Sequence, residues 1–186
     1  MTQGPLPVPT AWRAVARCFA RSIAMLGRGA TYWPEENLGR EITFADGTTG
    51  RVYRETSVAL APKRPCVLVV SFRLKWVRGP WHRLFRIESI LNTPLFIGFP
   101  GFVSKLWLAH DRNGTYRGLY EWDDPEAAEA YARSLWRVLS LVSQDGSIAY
   151  RVVPDLRRGD VLADPRVLDG QVPTQEDAWW RVVAAA

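Results

Sequence analysis

Two groups of side chains in this sequence could do chemistry. The first lies in residues 81–91, WHRLFRIESIL, where Trp81, Leu84, Ile87 and Leu91 recur at helical spacing. The same spacing sets His82, Arg86, Ser89 and Asn92 in one polar stripe. A histidine facing a pocket is a natural general base, because imidazole titrates near neutrality. Arg86 could then hold a phenolate or enolate, and Asn92 could donate to an oxyanion. An amphipathic helix also needs a solvated face, and the stripe fits that description as well. Both readings stay open.

The second group lies on two predicted strands, 102–109 and 115–122, joined by an Asn113-Gly114 turn. Pairing around that turn sets Trp107 opposite Tyr120 and Lys105 opposite Trp122. Alternation then collects Lys105, Trp107, Gly118, Tyr120 and Trp122 on one face. The opposite face takes Phe102, Leu106, Leu108 and Leu119, with Ser104, Arg117 and Glu121. An aromatic wall with one ammonium and a glycine gap suits a flat aromatic or polyketide-like ligand. The same set equally describes a cation–π pair in a core, with Lys105 reaching a carboxylate. His110 sits beside the turn and is expected to be exposed. The two histidines lack metal-site spacing, and no metal is expected. Neither a phosphate-binding glycine loop nor a GxSxG elbow is present.

The elements that must position these residues follow from periodicity and punctuation. Residues 67–74, VLVVSFRL, form an apolar strand. Helix 81–91, strand 102–109 and strand 115–122 follow. Asp124 caps a second helix, with Pro125 at its first position and Ala128, Tyr131, Leu135, Val138 and Val142 on one face. Strand 147–153 closes the series. The order is βαββαβ, a ferredoxin-like α+β arrangement. We expect this domain over residues 63–155. Residues 1–62 form an N-terminal extension, and 156–186 a C-terminal tail. The extension holds a helix at 11–26, capped by Thr10, whose apolar positions are Trp12, Val15, Ala16, Phe19, Ile23 and Leu26. It also holds a hairpin at 41–55. The tail ends in a short helix with a capping-box-like start at Thr174, and Trp179 and Trp180 on it are expected to dock on the body or on a partner. Both faces of the central strands carry large apolar residues. Helices can cover one face, which leaves the other to a partner sheet, and so a homodimer, or to the extensions.

Composition narrows the partners. Hydrophobic residues make up 47% and there are nine tryptophans, so a sizeable core is available. The formal net charge of +5 comes largely from Arg13, Arg17, Arg21 and Arg28, with no acid before Glu35. That charge is too scattered for a nucleic-acid surface, and no nucleic-acid partner is expected. The basic amphipathic helix 11–26 could meet an anionic membrane surface, or simply show its arginines to water. Cys18 and Cys66 read as ordinary thiols of a reducing compartment. No apolar run is long enough to span a bilayer and no signal-peptide core is visible, so the expected location is cytoplasmic.

Several short motifs carry a family resemblance. They are Phe99-Pro100-Gly101-Phe102, Lys105-Leu106-Trp107, Gly118-Leu119-Tyr120-Glu121-Trp122, and Pro125-Glu126-Ala127-Ala128 with Tyr131. Together they resemble the YdhR-type monooxygenases of the dimeric α/β-barrel superfamily, also called antibiotic-biosynthesis monooxygenase-like. The resemblance covers residues 67–153. It implies a dimeric α/β barrel and a superfamily that includes cofactor-free oxygenases of polycyclic phenols, polyketide cyclases, haem-degrading enzymes and isomerases. From it we expect an enzyme without its own cofactor, acting on a flat, apolar, oxygenated substrate. His82, Arg86 and Asn92 would be catalytic, and Lys105, Trp107, Tyr120 and Trp122 would bind substrate. Were haem bound, as the superfamily allows, His82 or His110 would be its ligand. The alternatives are a ligand-binding or accessory protein of the same fold, or a structural interaction partner.

Overall fold

The computed structural model describes residues 4–75, 93–169 and 175–186. The expected helix 81–91, with His82, Arg86 and Asn92, lies outside the described residues. In chain order the elements are α1 (Val8–Gly27), β1 (Thr31–Tyr32), β2 (Glu41–Phe44), β3 (Thr49–Val58), β4 (Cys66–Arg73), β5 (Phe102–Leu108), β6 (Thr115–Trp122), α2 (Pro125–Val142), β7 (Ala149–Pro154), α3 (Arg158–Ala163) and β8 (Val182–Ala185). Short 3-10 turns occupy Thr93–Leu95, Pro165–Leu168 and Gln175–Trp180.

The apolar run builds the middle of the sheet. β4 is buried from Cys66 to Ser71 without a break, as a strand covered on both faces must be. It pairs with β6 and β7, and β6 pairs with β5, all antiparallel. The order β7-β4-β6-β5 is the ferredoxin-like one. α2 begins where expected, with the Asp124 carboxylate accepting the Ala127 N–H at 3.2 Å. The sheet then continues through β3, β2 and β8, and β1 pairs with β3. The N-terminal hairpin therefore pairs directly with β5, through partners such as Arg54 with Trp107.

The β5–β6 register differs from the expected one by two residues. Trp107 lies opposite Gly118, and Lys105 opposite Tyr120. The turn is wider than Asn113-Gly114 alone. The Asp111 carboxylate accepts the Asn113 N–H at 2.8 Å and the Thr115 N–H at 3.0 Å, so four residues turn the chain. An even slip keeps each side chain on its face. Phe102 is the exception: a bulge between Phe102 and Ser104 turns it toward Trp107 and Trp122, instead of toward Leu106.

The two sheet faces have different covers. One carries Leu68, Val70, Phe102, Tyr120 and Trp122 under α2 and the Phe96-Ile97 segment. The other carries Val67, Val69, Leu106, Leu108 and Leu119 under Val161, Leu162, Leu168, Trp180 and Val182 of the chain's own tail. The chain's own tail thus covers this face. The expected terminal helix is a 3-10 turn. It buries Trp180 to 1% exposure and packs Trp179, half-buried, against the same cluster.

α1 starts at Val8 with Pro7 before it, so Thr10 lies inside the helix and does not cap it. Its buried residues are Ala11, Val15, Cys18 and Ser22. Trp12, Phe19 and Ile23, which the apolar spacing placed on the packed side, are exposed. The reason is a close approach. A Cβ at Gly98 would stand 2.3 Å from the Cys18 carbonyl oxygen, and the Gly98 N–H donates to Ser22 Oγ at 2.8 Å. Only small side chains fit that contact. Among the described residues, no helix is long and apolar enough to cross a membrane.

Candidate functional site

Trp107, Lys105 and Tyr120 meet as the alternation predicts, and they border a cavity of about 340 Å³. That is within the usual range for small-molecule pockets, roughly 300–1,000 Å³. Among the described residues its walls also include Tyr53, Phe96, Tyr131, Leu135, Val138 and Leu139. Trp107 is held at its edge, where Nε1 donates to Thr56 Oγ1 at 3.3 Å, and by Phe96, edge-on with ring centroids 5.3 Å apart. The Arg54 guanidinium lies 5.3 Å from the Trp107 ring centre and donates to Thr93 Oγ1 at 2.6 Å.

Trp122 does not reach the cavity. It is fully buried behind it, with its ring centre 4.8 Å from Tyr131 and 5.6 Å from Phe102. Gly118 does border the cavity, with the Tyr120 ring lying over it. A Cβ there would come within 2.6 Å of the Tyr120 ring, so the glycine is what lets that ring lie along the strand. His110 is exposed, with Nδ1 3.0 Å from the Asp111 carbonyl, and is not among the cavity's walls. Burial raises both thiols, Cys66 to about 12, so neither is a ready nucleophile.

Lys105 is the unusual wall residue. It is 6% exposed, and its Nζ lies 3.1 Å from the Trp107 ring centre and 4.7 Å from those of Phe96 and Tyr120. No carboxylate among the described residues pairs with it. A cation over desolvated rings gains about 2 kcal/mol. Removing an ammonium from water costs several kcal/mol, more than the rings return, so burial disfavours the protonated form. Burial first, and then the Arg54 charge, hold the Lys105 amine well below its ordinary range. The alternative in which Lys105 reaches a carboxylate is not what these residues form.

A stability effect follows. The unfolded chain takes up a proton on this amine below about pH 10, while the folded chain resists it. The associated loss of stability is absent above that pH and grows as pH falls toward the folded-state value. Lys105→Met, similar in length and uncharged, should therefore raise the melting temperature by several degrees near pH 7 and much less near pH 10. Equal shifts at both pH values in thermal melts would contradict a desolvated amine.

Two tyrosines complete the polar content. Tyr131 Oη donates to Tyr120 Oη at 3.2 Å. Burial raises both, so both stay neutral donors at physiological pH. Tyr131, Leu135 and Val138 were legible as the apolar face of the second helix. Tyr53 and Arg54 were not read as site residues, since nothing in the sequence couples the first hairpin to β5, and neither was Phe96 in the loop before β5.

No protein-family model matches this chain, and no curated protein matches it. Among solved structures, similar chains include a ferredoxin-fold protein related to antibiotic biosynthesis monooxygenases from Listeria monocytogenes 4b F2365. It shares 12% identity at a TM-score of 0.37, over 60% of this chain and 66% of that one. An anthrone oxidase-like protein shares 14% identity at a TM-score of 0.38, over 59% of this chain and 55% of that one. A major regulator of staphylococcal pathogenesis shares 13% identity at a TM-score of 0.42, over 68% of this chain and 98% of that one.

Proposed function

We propose that the chain binds a flat, apolar, oxygenated small molecule of the phenolic or polyketide-like class, and transforms it by oxygenation or cyclisation without a resident cofactor. The observation that supports this is the cavity bordered by Trp107, Phe96 and Tyr120, with one desolvated amine in its wall. Rings of this kind hold a planar ligand by stacking, and a single polar group orients its oxygen. In this reading His82, Arg86 and Asn92 act as base and anion contacts.

Calorimetric titration with naphthol, a planar phenol, tests the binding. Trp107→Ala should weaken its affinity by about tenfold, a loss of roughly 1.4 kcal/mol. Unchanged affinity in a folded Trp107→Ala protein would remove the ring from the site. Oxygen uptake on adding an electron-rich naphthol separates turnover from binding alone. Binding without uptake or product would favour an accessory, non-catalytic protein.

A second reading is favoured by α1. Its exposed Trp12, Phe19 and Ile23 lie beside Arg13, Arg17 and Arg21, a pairing of apolar and basic side chains that suits an anionic lipid surface. Co-sedimentation with anionic but not with neutral vesicles would support it, and no co-sedimentation with either would end it.

A further inference from the structure

We infer that Lys105 is a carbonyl-binding amine, whose Nζ condenses with an aldehyde or ketone of the cavity's ligand to form an imine. This rests on the reading of the cavity as a small-molecule site and narrows its ligand to carbonyl compounds. Three features carry it. Lys105 borders the cavity and is enclosed by the Phe96, Trp107 and Tyr120 rings. No carboxylate among the described residues pairs with it, and burial together with the Arg54 charge favours its unprotonated form. Its cross-strand partner is Tyr120, a hydroxyl that also borders the cavity.

The chemistry balances within the site. The amine nitrogen adds to the carbonyl carbon, and the oxygen takes up one proton to give a carbinolamine. Loss of that hydroxyl with the second amine proton releases water and leaves a C=N bond. Tyr120 accepts from Tyr131, so its own O–H is available to polarise the carbonyl oxygen. It can lend a proton to the departing hydroxyl and recover one from nitrogen. The choice of imine over simple proton abstraction follows from the surroundings. Abstraction would create an ammonium where burial opposes one, whereas a neutral imine adds no charge.

The chain supplies its own controls, because its other two lysines are Lys63, which is exposed, and Lys75, which pairs with Asp145 at 2.9 Å. An ordinary lysine is almost wholly protonated near pH 7, whereas burial shifts Lys105 toward the free amine. The experiment treats the full chain with naphthaldehyde and cyanoborohydride near that pH, and maps the reduced adduct by peptide mass spectrometry. Naphthol binding is measured by calorimetry alongside. The expected result is an adduct predominantly on Lys105, suppressed by excess naphthol. An unmodified Lys105 with naphthol still bound would overturn the imine and leave the cavity reading standing. An unmodified Lys105 with no naphthol binding would overturn both.

Discussion

A chain ending at residue 155 is expected to lose its cooperative monomeric melt. The tail that would be removed buries Val161, Leu162, Leu168, Trp180 and Val182 against the second sheet face. Full burial of each such side chain is worth about 1.5–3 kcal/mol, so the five together approach the whole net stability of a domain, about 5–15 kcal/mol. The truncation also uncovers Leu106, Leu108 and Leu119 on the sheet. An apolar face of that kind either pairs with a second copy or aggregates. Light scattering with a circular-dichroism melt reads both outcomes. A monomer that melts at the parent's temperature would contradict this role for the tail.

Glu55→Gln should cost about 3 kcal/mol, measured by urea unfolding. Glu55 on β3 is 3% exposed and forms an ion pair with Arg158 of α3, and it also accepts from Asn37 Nδ2 at 2.8 Å. Removing the charge leaves the Arg158 guanidinium buried without compensation, and its Nε and Nη1 already lack partners among the described residues. A double variant, Glu55→Leu with Arg158→Met, should recover most of the loss, because a packed apolar pair needs no compensation. A single variant as stable as the parent would show that this pair does not fasten the tail to the sheet.

The strands and the second helix were legible because their patterns are local. Residues 115–122 alternate, Asp124-Pro125 marks a helix start, and the run from Val67 reads as a strand covered on both sides. The face shared by Lys105, Trp107 and Tyr120 was legible for the same reason, and it survived a wrong register because the slip was even. What escaped depends on contacts between distant segments. Pairing of β3 with β5, which brings Arg54 beside Trp107, leaves no periodic mark in either strand. The small-residue face of α1 was hidden because a close helix approach selects Ala11, Cys18 and Ser22 over the larger Trp12 and Phe19. Trp122 was assigned to the site by alternation alone, which fixes a face and says nothing of depth.

The central claim, a planar ligand seated on Trp107, is tested most directly by titrating isotope-labelled protein with naphthol while following the nine tryptophan indole N–H signals. The signal that disappears in Trp107→Phe should move progressively with added ligand, while those of exposed Trp12 and Trp33 stay in place. Movement confined to Trp12 and Trp33, with the Trp107 signal fixed, would contradict the account.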